Sequence, residues 1–221
     1  MNLVERGTRK EEADEGSRFV CFSYQEKTIE LFRCARASEF GQPNLPRPTS
    51  RPPGNVPYLV DNIWEWLRPL GMPCRRQAVF ASPTMALAQE GAIQWGGGDF
   101  KVGRVRFLGR YNVAQCLQRD AKLSPDVRRV PATLLEHLGA EWLGSPASER
   151  GPAGALFQPV LSCSDVQAVV DAYPGLAKRL RAATSFWTEA RSAHDAASVL
   201  SPEGEVFFEA QDGYVLEALR L

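Results

Sequence analysis

Glu203-Gly204-Glu205-Val206-Phe207-Phe208-Glu209-Ala210-Gln211-Asp212-Gly213-Tyr214-Val215-Leu216 is the stretch on which the fold turns. Two carboxylates flank one glycine and lead straight into an apolar run. A Gln-Asp-Gly turn follows, and a second apolar run continues to Leu221. Short apolar runs bounded by turn residues are strand signals, so a hairpin of 205–210 with 214–221 is expected. Carboxylates at the mouth of a buried strand pair cost free energy unless they are paired or used. Glu203 and Glu205 are two residues apart and share a face on an extended backbone. They form a candidate site, with Glu209 a rival to Glu205 on the same strand face.

Upstream, polar residues 1–17 read as a disordered leader, and 18–221 as one domain. Strands are expected at 18–24, 28–36, 77–81 and 100–108, with a bulge where the alternation slips at Gly103. Residues 37–40 can form a helical turn. Helical spacing marks 58–67, 84–89, 112–120, 131–142, 164–172 and 175–191. In the helix at 84–89, Ser82 would be the N-cap and Pro83 the first helical residue. Gly96-Gly97-Gly98 is a turn without the Gly-Lys-Ser/Thr of a phosphate loop. Residues 144–155 read as a surface loop. The segment 41–57 carries six prolines and reads as an extended loop, either folding back over a site or offering a partner-binding surface. Strands framing a helical middle indicate an α+β fold.

The chain has 221 residues, 44% of them hydrophobic, enough for a packed core. Lys plus Arg equals Asp plus Glu at 26 each, so net charge draws it neither to nucleic acid nor to an anionic membrane. Five scattered cysteines without a Cys-x-x-Cys, and only two histidines (His137 and His194), argue against a metal centre and for reduced thiols. Neither histidine has the partners of a hydrolase triad. No apolar signal peptide and no run of eighteen apolar residues is visible.

Arg33 lies mid-strand in Leu31-Phe32-Arg33-Cys34, where an inward guanidinium needs an anion. Arg36 is a rival for that role. Ser82 and Thr84 follow the strand end Val79-Phe80-Ala81, and a hydroxyl there can hold a glutamate. Singly, each has an ordinary explanation: an edge arginine in solvent, an N-cap, a core phenylalanine, solvated loop charges. Their joint order is more specific.

In that order, Leu31-Phe32-Arg33-Cys34, then Phe80-Ala81-Ser82-Pro83-Thr84, then Glu203-Gly204-Glu205, the chain resembles the mono-ADP-ribosyltransferase superfamily. Departing from the family's Ser-Thr-Ser, the middle segment is Ala-Ser-Pro-Thr. The resemblance implies an ADP-ribosyltransferase-like split β-sheet core with several helices. It implies NAD as substrate, with Arg33 on the nicotinamide-side phosphate, the backbone of Cys34 meeting the carboxamide, Phe80 against nicotinamide, and Ser82 and Thr84 supporting the site. Cleaving the nicotinamide–ribose bond builds positive charge on the sugar, which Glu205 would stabilise, with Glu203 near the acceptor. More loosely, the chain is similar to CteC-type bacterial effectors. That similarity implies a host protein as acceptor, a threonine of ubiquitin among the candidates. It also implies delivery from the bacterial cytosol into a host cell by a route needing no signal peptide. A glycohydrolase of the same fold, with water as acceptor, and a non-enzymatic binding module using 41–57 are the alternatives.

Overall fold

A computed structural model describes residues 29–52, 54–94, 98–146, 149–192 and 200–219. The expected leader at 1–17, the β-run at 18–24 and His194 lie outside the described residues. The described chain is mixed α+β. Its strands are β1 (Phe32–Arg36), β2 (Pro43–Asn44), β3 (Val79–Ala81), β4 (Phe100–Phe107), β5 (Tyr111–Gln115), β6 (Arg191–Ser192), β7 (Val206–Ala210) and β8 (Tyr214–Ala218). Its helices are α1 (Tyr58–Trp66), α2 (Met85–Gln94), α3 (Asp126–Leu138), α4 (Cys163–Asp171), α5 (Leu176–Ala183) and α6 (Phe186–Glu189). Among the described residues no helix is long and apolar enough to cross a membrane.

The strands form two four-stranded antiparallel sheets, ordered β1-β4-β8-β2 and β3-β7-β5-β6. β7 and β8 therefore do not form the expected hairpin. Each is an interior strand of a different sheet, and the Gln-Asp-Gly turn carries the chain from one sheet to the other. The chain makes the same crossing at 108–110, between β4 and β5. The two crossings run side by side, with Leu108 N–H donating to Gly213 O at 3.0 Å and Gln211 N–H to Arg110 O at 2.8 Å. β4–β5 and β7–β8 thus form one long antiparallel ribbon, bent where the two sheets separate.

The ribbon bends because its residues serve two cores. Phe207 joins Trp64, Leu134, Leu176 and Phe186 in a cluster beneath the helices. Its neighbours Val206 and Phe208 face the other way, into a cluster between the sheets with Leu31, Val105, Val113 and Leu216. Strand alternation delivers consecutive residues to opposite faces, so a run of Val-Phe-Phe is what a strand covered on both sides requires.

Four expectations are corrected here. β4 has no bulge: its register with β1 and β8 is unbroken. Its alternation slips because the buried side changes along the strand, from Phe100 and Val102 to Val105 and Phe107. Gly103 marks a close approach instead, since a Cβ there would sit 2.5 Å from the Phe40 ring and 2.8 Å from Glu217 O. Residues 112–115, expected to open a helix at 112–120, lie in β5. That strand lies between β7 and β6, and Val113, Ala114 and Gln115 are all buried, which hides the period of two. The helix expected over 175–191 breaks at Thr184. The buried Asp126 carboxylate collects the N–H groups of Ser185 and Phe186 at 3.0–3.1 Å, along with the Trp64 indole at 2.8 Å, and this starts α6 as a separate turn. Within the loop expected at 144–155, a 3₁₀ helix forms at Pro152–Phe157 and buries Ala153 and Leu156 completely.

Candidate functional site

The edges of the two sheets meet where β1 and β3 run together. Ser82 and Phe32 exchange backbone hydrogen bonds, at 2.9 Å from Phe32 N–H and 2.7 Å from Ser82 N–H. Beside this junction is a cavity of about 440 Å³. Its lining includes Arg33, Cys34, Phe80, Ser82, Glu203 and Glu205, six of the seven residues to which the sequence resemblance gives a role. Arg119, Asp120, Lys122 and the middle of α2 also line it. Thr84 does not line it. The Thr84 hydroxyl accepts the Leu87 N–H at 3.3 Å, which makes Thr84, rather than Ser82, the cap of α2. Ser82 is spent on the bridge to β1, so the helix starts one residue beyond Thr84.

Arg33 reaches across the junction. Its Nη1 donates to Phe80 O at 2.9 Å, and its Nη2 lies 3.7 Å from Glu39. Its Nε is buried without a partner among the described residues. A buried donor without an acceptor is costly, so this side chain is under-satisfied toward an anion. Arg36, the rival, is exposed, and its backbone N–H bonds the Glu39 side chain at 3.1 Å. It does not line the cavity.

Glu205 sits just before β7, where the backbone is clamped on both sides. Its N–H donates to Gln118 O at 2.8 Å, and its carbonyl accepts the Cys116 N–H at 3.0 Å. One carboxylate oxygen pairs with Arg75 Nη1 at 3.2 Å, and the other accepts the Ala121 N–H at 2.8 Å. Burial pushes this carboxyl up, against the pull of Arg75 and the Ala121 N–H. Gly204 is what allows the clamp, because a Cβ there would lie 2.1 Å from Cys116 O. Behind it, the buried Gln115 side chain donates to Ser201 O and Gly204 O and accepts the Ser201 N–H, at 2.6, 3.0 and 2.7 Å. Glu203 stands exposed at the mouth. The two glutamates therefore differ, one fixed and largely covered at the floor and one free to meet what enters.

Glu209, the other rival, lies elsewhere. It lines a second cavity of about 230 Å³ with Arg47, Gln77 and Tyr214. Its carboxylate accepts the Cys74 N–H at 3.1 Å. Burial pushes the Glu209 carboxyl up, with the Cys74 N–H and Arg68 pulling against it.

The proline-rich segment folds back onto the cavity wall. Arg51 donates to Ala78 O at 3.2 Å and stacks over Phe80, with 5.2 Å to the ring centroid. Asn55 bonds Asp120 at 2.8 Å. Burial would raise Asp120, but hydrogen bonds from Lys122 and Asn55 outweigh it and hold the carboxyl below the ordinary range. Pro43 sits in a two-residue edge strand, where its missing N–H costs no sheet bond.

The cysteines nearest the floor are poor nucleophiles. Burial pushes the Cys34 thiol up, and it pushes Cys116, with Glu205 adding to it, to about 12. Among the described residues no group of three His, Cys, Asp or Glu could hold a metal ion. Sequence reasoning missed Arg75, Asp120 and Lys122. The one available signal was the Arg75-Arg76 pair ahead of an apolar strand, where two adjacent cations are out of place unless each has a partner.

Comparison with protein-family models, with curated proteins and with solved structures found no match.

Proposed function

We propose that the chain is an NAD-dependent mono-ADP-ribosyltransferase acting on a protein side chain. One observation carries this: an arginine with a spare buried donor, a fixed, largely covered glutamate and a free mouth glutamate line one cavity. Its size of about 440 Å³ falls within the roughly 300–1,000 Å³ usual for small-molecule sites. The two sheets parting beside it agree with the split-sheet core that the sequence resemblance implies.

Arg33, which lines the cavity, binds a phosphate and orients the dinucleotide. Phe80 lines the cavity beside it, with Arg51 and Arg75 against its ring. The bond between nicotinamide nitrogen and ribose C1′ breaks, and nicotinamide leaves with the electron pair. Glu205, fixed and facing the site, stabilises the positive charge that develops on the ribose. An acceptor oxygen forms the new bond to C1′, and its proton passes to Glu203 at the mouth. A host protein, with a threonine of ubiquitin among the candidates, is the acceptor class that the looser resemblance implies.

Labelled NAD incubated with the protein and a eukaryotic lysate tests this, followed by mass spectrometry for the ADP-ribosyl mass. Label on a protein is the expected result. Free ADP-ribose and nicotinamide alone would make the protein a glycohydrolase. Neither binding nor cleavage of NAD would sink the proposal.

A further inference from the structure

Arg75 and Arg76 are adjacent on the turn at 74–78, and each is only 5% exposed. Arg76 faces the helices. Its guanidinium donates to Asp61 at 2.8 Å, Asn62 at 2.6 Å and Leu161 O at 2.6 Å, which staples the turn in place. Arg75, held beside it, sits among four aromatic rings from α1, β3, α6 and β7. Its Cζ lies 5.5 Å from the centroid of Trp64, 5.2 Å from Phe80, 5.3 Å from Phe186 and 5.1 Å from Phe207. The rings strip water from the cation and attract it through their faces. Its Nε has no partner among the described residues, and its one ion pair among them is with Glu205 at 3.2 Å.

We propose that Arg75 is a positioning residue, fixing both the orientation and the negative charge of the Glu205 carboxylate at the cavity floor. This rests on the assignment of Glu205 as the carboxylate that acts there. A carboxylate only 12% exposed resists ionisation unless a cation is held beside it. Other charged groups around it divide. Asp120, on the neighbouring turn, opposes ionisation of Glu205. Lys122 is committed to Asp120 at 3.0 Å, Arg119 to Glu90, and Arg33 to Phe80 O and Glu39. Cys34, Glu203 and Cys116 offer no cation. Arg75 is the cation left to do it, and the four-ring cage denies it any other geometry. Its position also accounts for the Arg-Arg pair, since one arginine anchors the turn and the other uses the anchorage.

The test is a carbon-13 titration of the Glu205 carboxyl in wild type, Arg75→Lys and Arg75→Met, with kcat and KM for NAD measured across pH on the same proteins. In Arg75→Met the Glu205 midpoint should move upward and the acid limb of kcat should move with it. The pH at which kcat reaches half its maximum should rise by about one to three pH units, as cation loss can produce, and kcat should recover toward alkaline pH. KM should hardly change. Arg75→Lys should lie between the two. An identical Glu205 titration in all three proteins overturns the proposal. If Arg75→Met does not fold, Arg75→Lys decides: a wild-type titration together with a wild-type kcat profile overturns it. Should wild type fail to turn over NAD, the proposed function falls, and the titration still decides whether Arg75 governs Glu205.

Discussion

Each oxygen of the Glu205 carboxylate has one partner, Arg75 on one side and the Ala121 N–H on the other. Glu205→Gln keeps the size and can keep the Ala121 hydrogen bond but loses the charge. Turnover of NAD should fall by about a hundredfold or more, roughly 2.7 kcal/mol, with binding retained in calorimetry. Glu203→Gln should reduce transfer to protein more than it reduces hydrolysis, because its partner is the acceptor. Equal turnover of NAD by both variants and wild type would remove both carboxylates from the chemistry. Arg33→Ala should weaken NAD binding by about 1.5–3 kcal/mol without unfolding the chain, the worth of a charge-assisted contact. Unchanged affinity in the same calorimetric titration would leave Arg33 a structural strut between Phe80 and Glu39. Arg33 was legible in the sequence because a guanidinium amid Leu31, Phe32 and Cys34 is conspicuous. Arg75 was not, because its partner lies 130 residues away and its cage is assembled from α1, β3, α6 and β7.

Gly204 shows how an element's position depends on one missing methyl group. The segment before β7 lies so close to the end of β5 that a Cβ would overlap Cys116 O. Gly204→Ala should therefore destabilise by about 1–3 kcal/mol, as overpacking does. Each kcal/mol should appear as a drop of about 2–4 °C in thermal midpoint for a chain of this length. The shift should also lower NAD turnover, since Glu205 moves with the backbone. A midpoint equal to wild type would mean that the clamp yields freely. The same neighbourhood explains what the sequence hid. β7 and β8 were legible as strands from their apolar runs, but their separation into two sheets was not, because a Gln-Asp-Gly turn serves a hairpin and a sheet crossing alike. β5 lacked the alternation of a half-covered strand since both its faces are buried. The α5–α6 break was invisible because the group that causes it, Asp126, is 59 residues away from Ser185. α4, with one exposed face, kept its period and was legible, and α1 was legible from its apolar spacing although residues 59–64 are all buried.

Stability of the whole molecule should respond to pH through its buried carboxyls. Burial raises Glu209 above the ordinary value, so between that value and the folded one the folded chain holds a proton that the unfolded chain releases. The stabilisation from this group is full below the unfolded value of about 4.3 and is lost as pH rises through the raised folded value. Glu209→Gln is neutral throughout. The midpoint of the variant minus that of wild type should be more positive at pH 8 than at pH 4, measured by thermal scans in matched buffers. The opposite sign would mean that Arg68 and the Cys74 N–H outweigh burial. The bent ribbon has a further consequence, for how the chain is made. β7 and β8 are inserted between earlier strands in both sheets, yet they leave a ribosome after all the other described strands of those sheets. Until residues 206–218 emerge, β1 and β4 lack a third strand, and β3 and β5 have no strand between them. Glu203 and Glu205 arrive in the same few residues, so the nascent chain cannot own the floor of its cavity before it owns its fold.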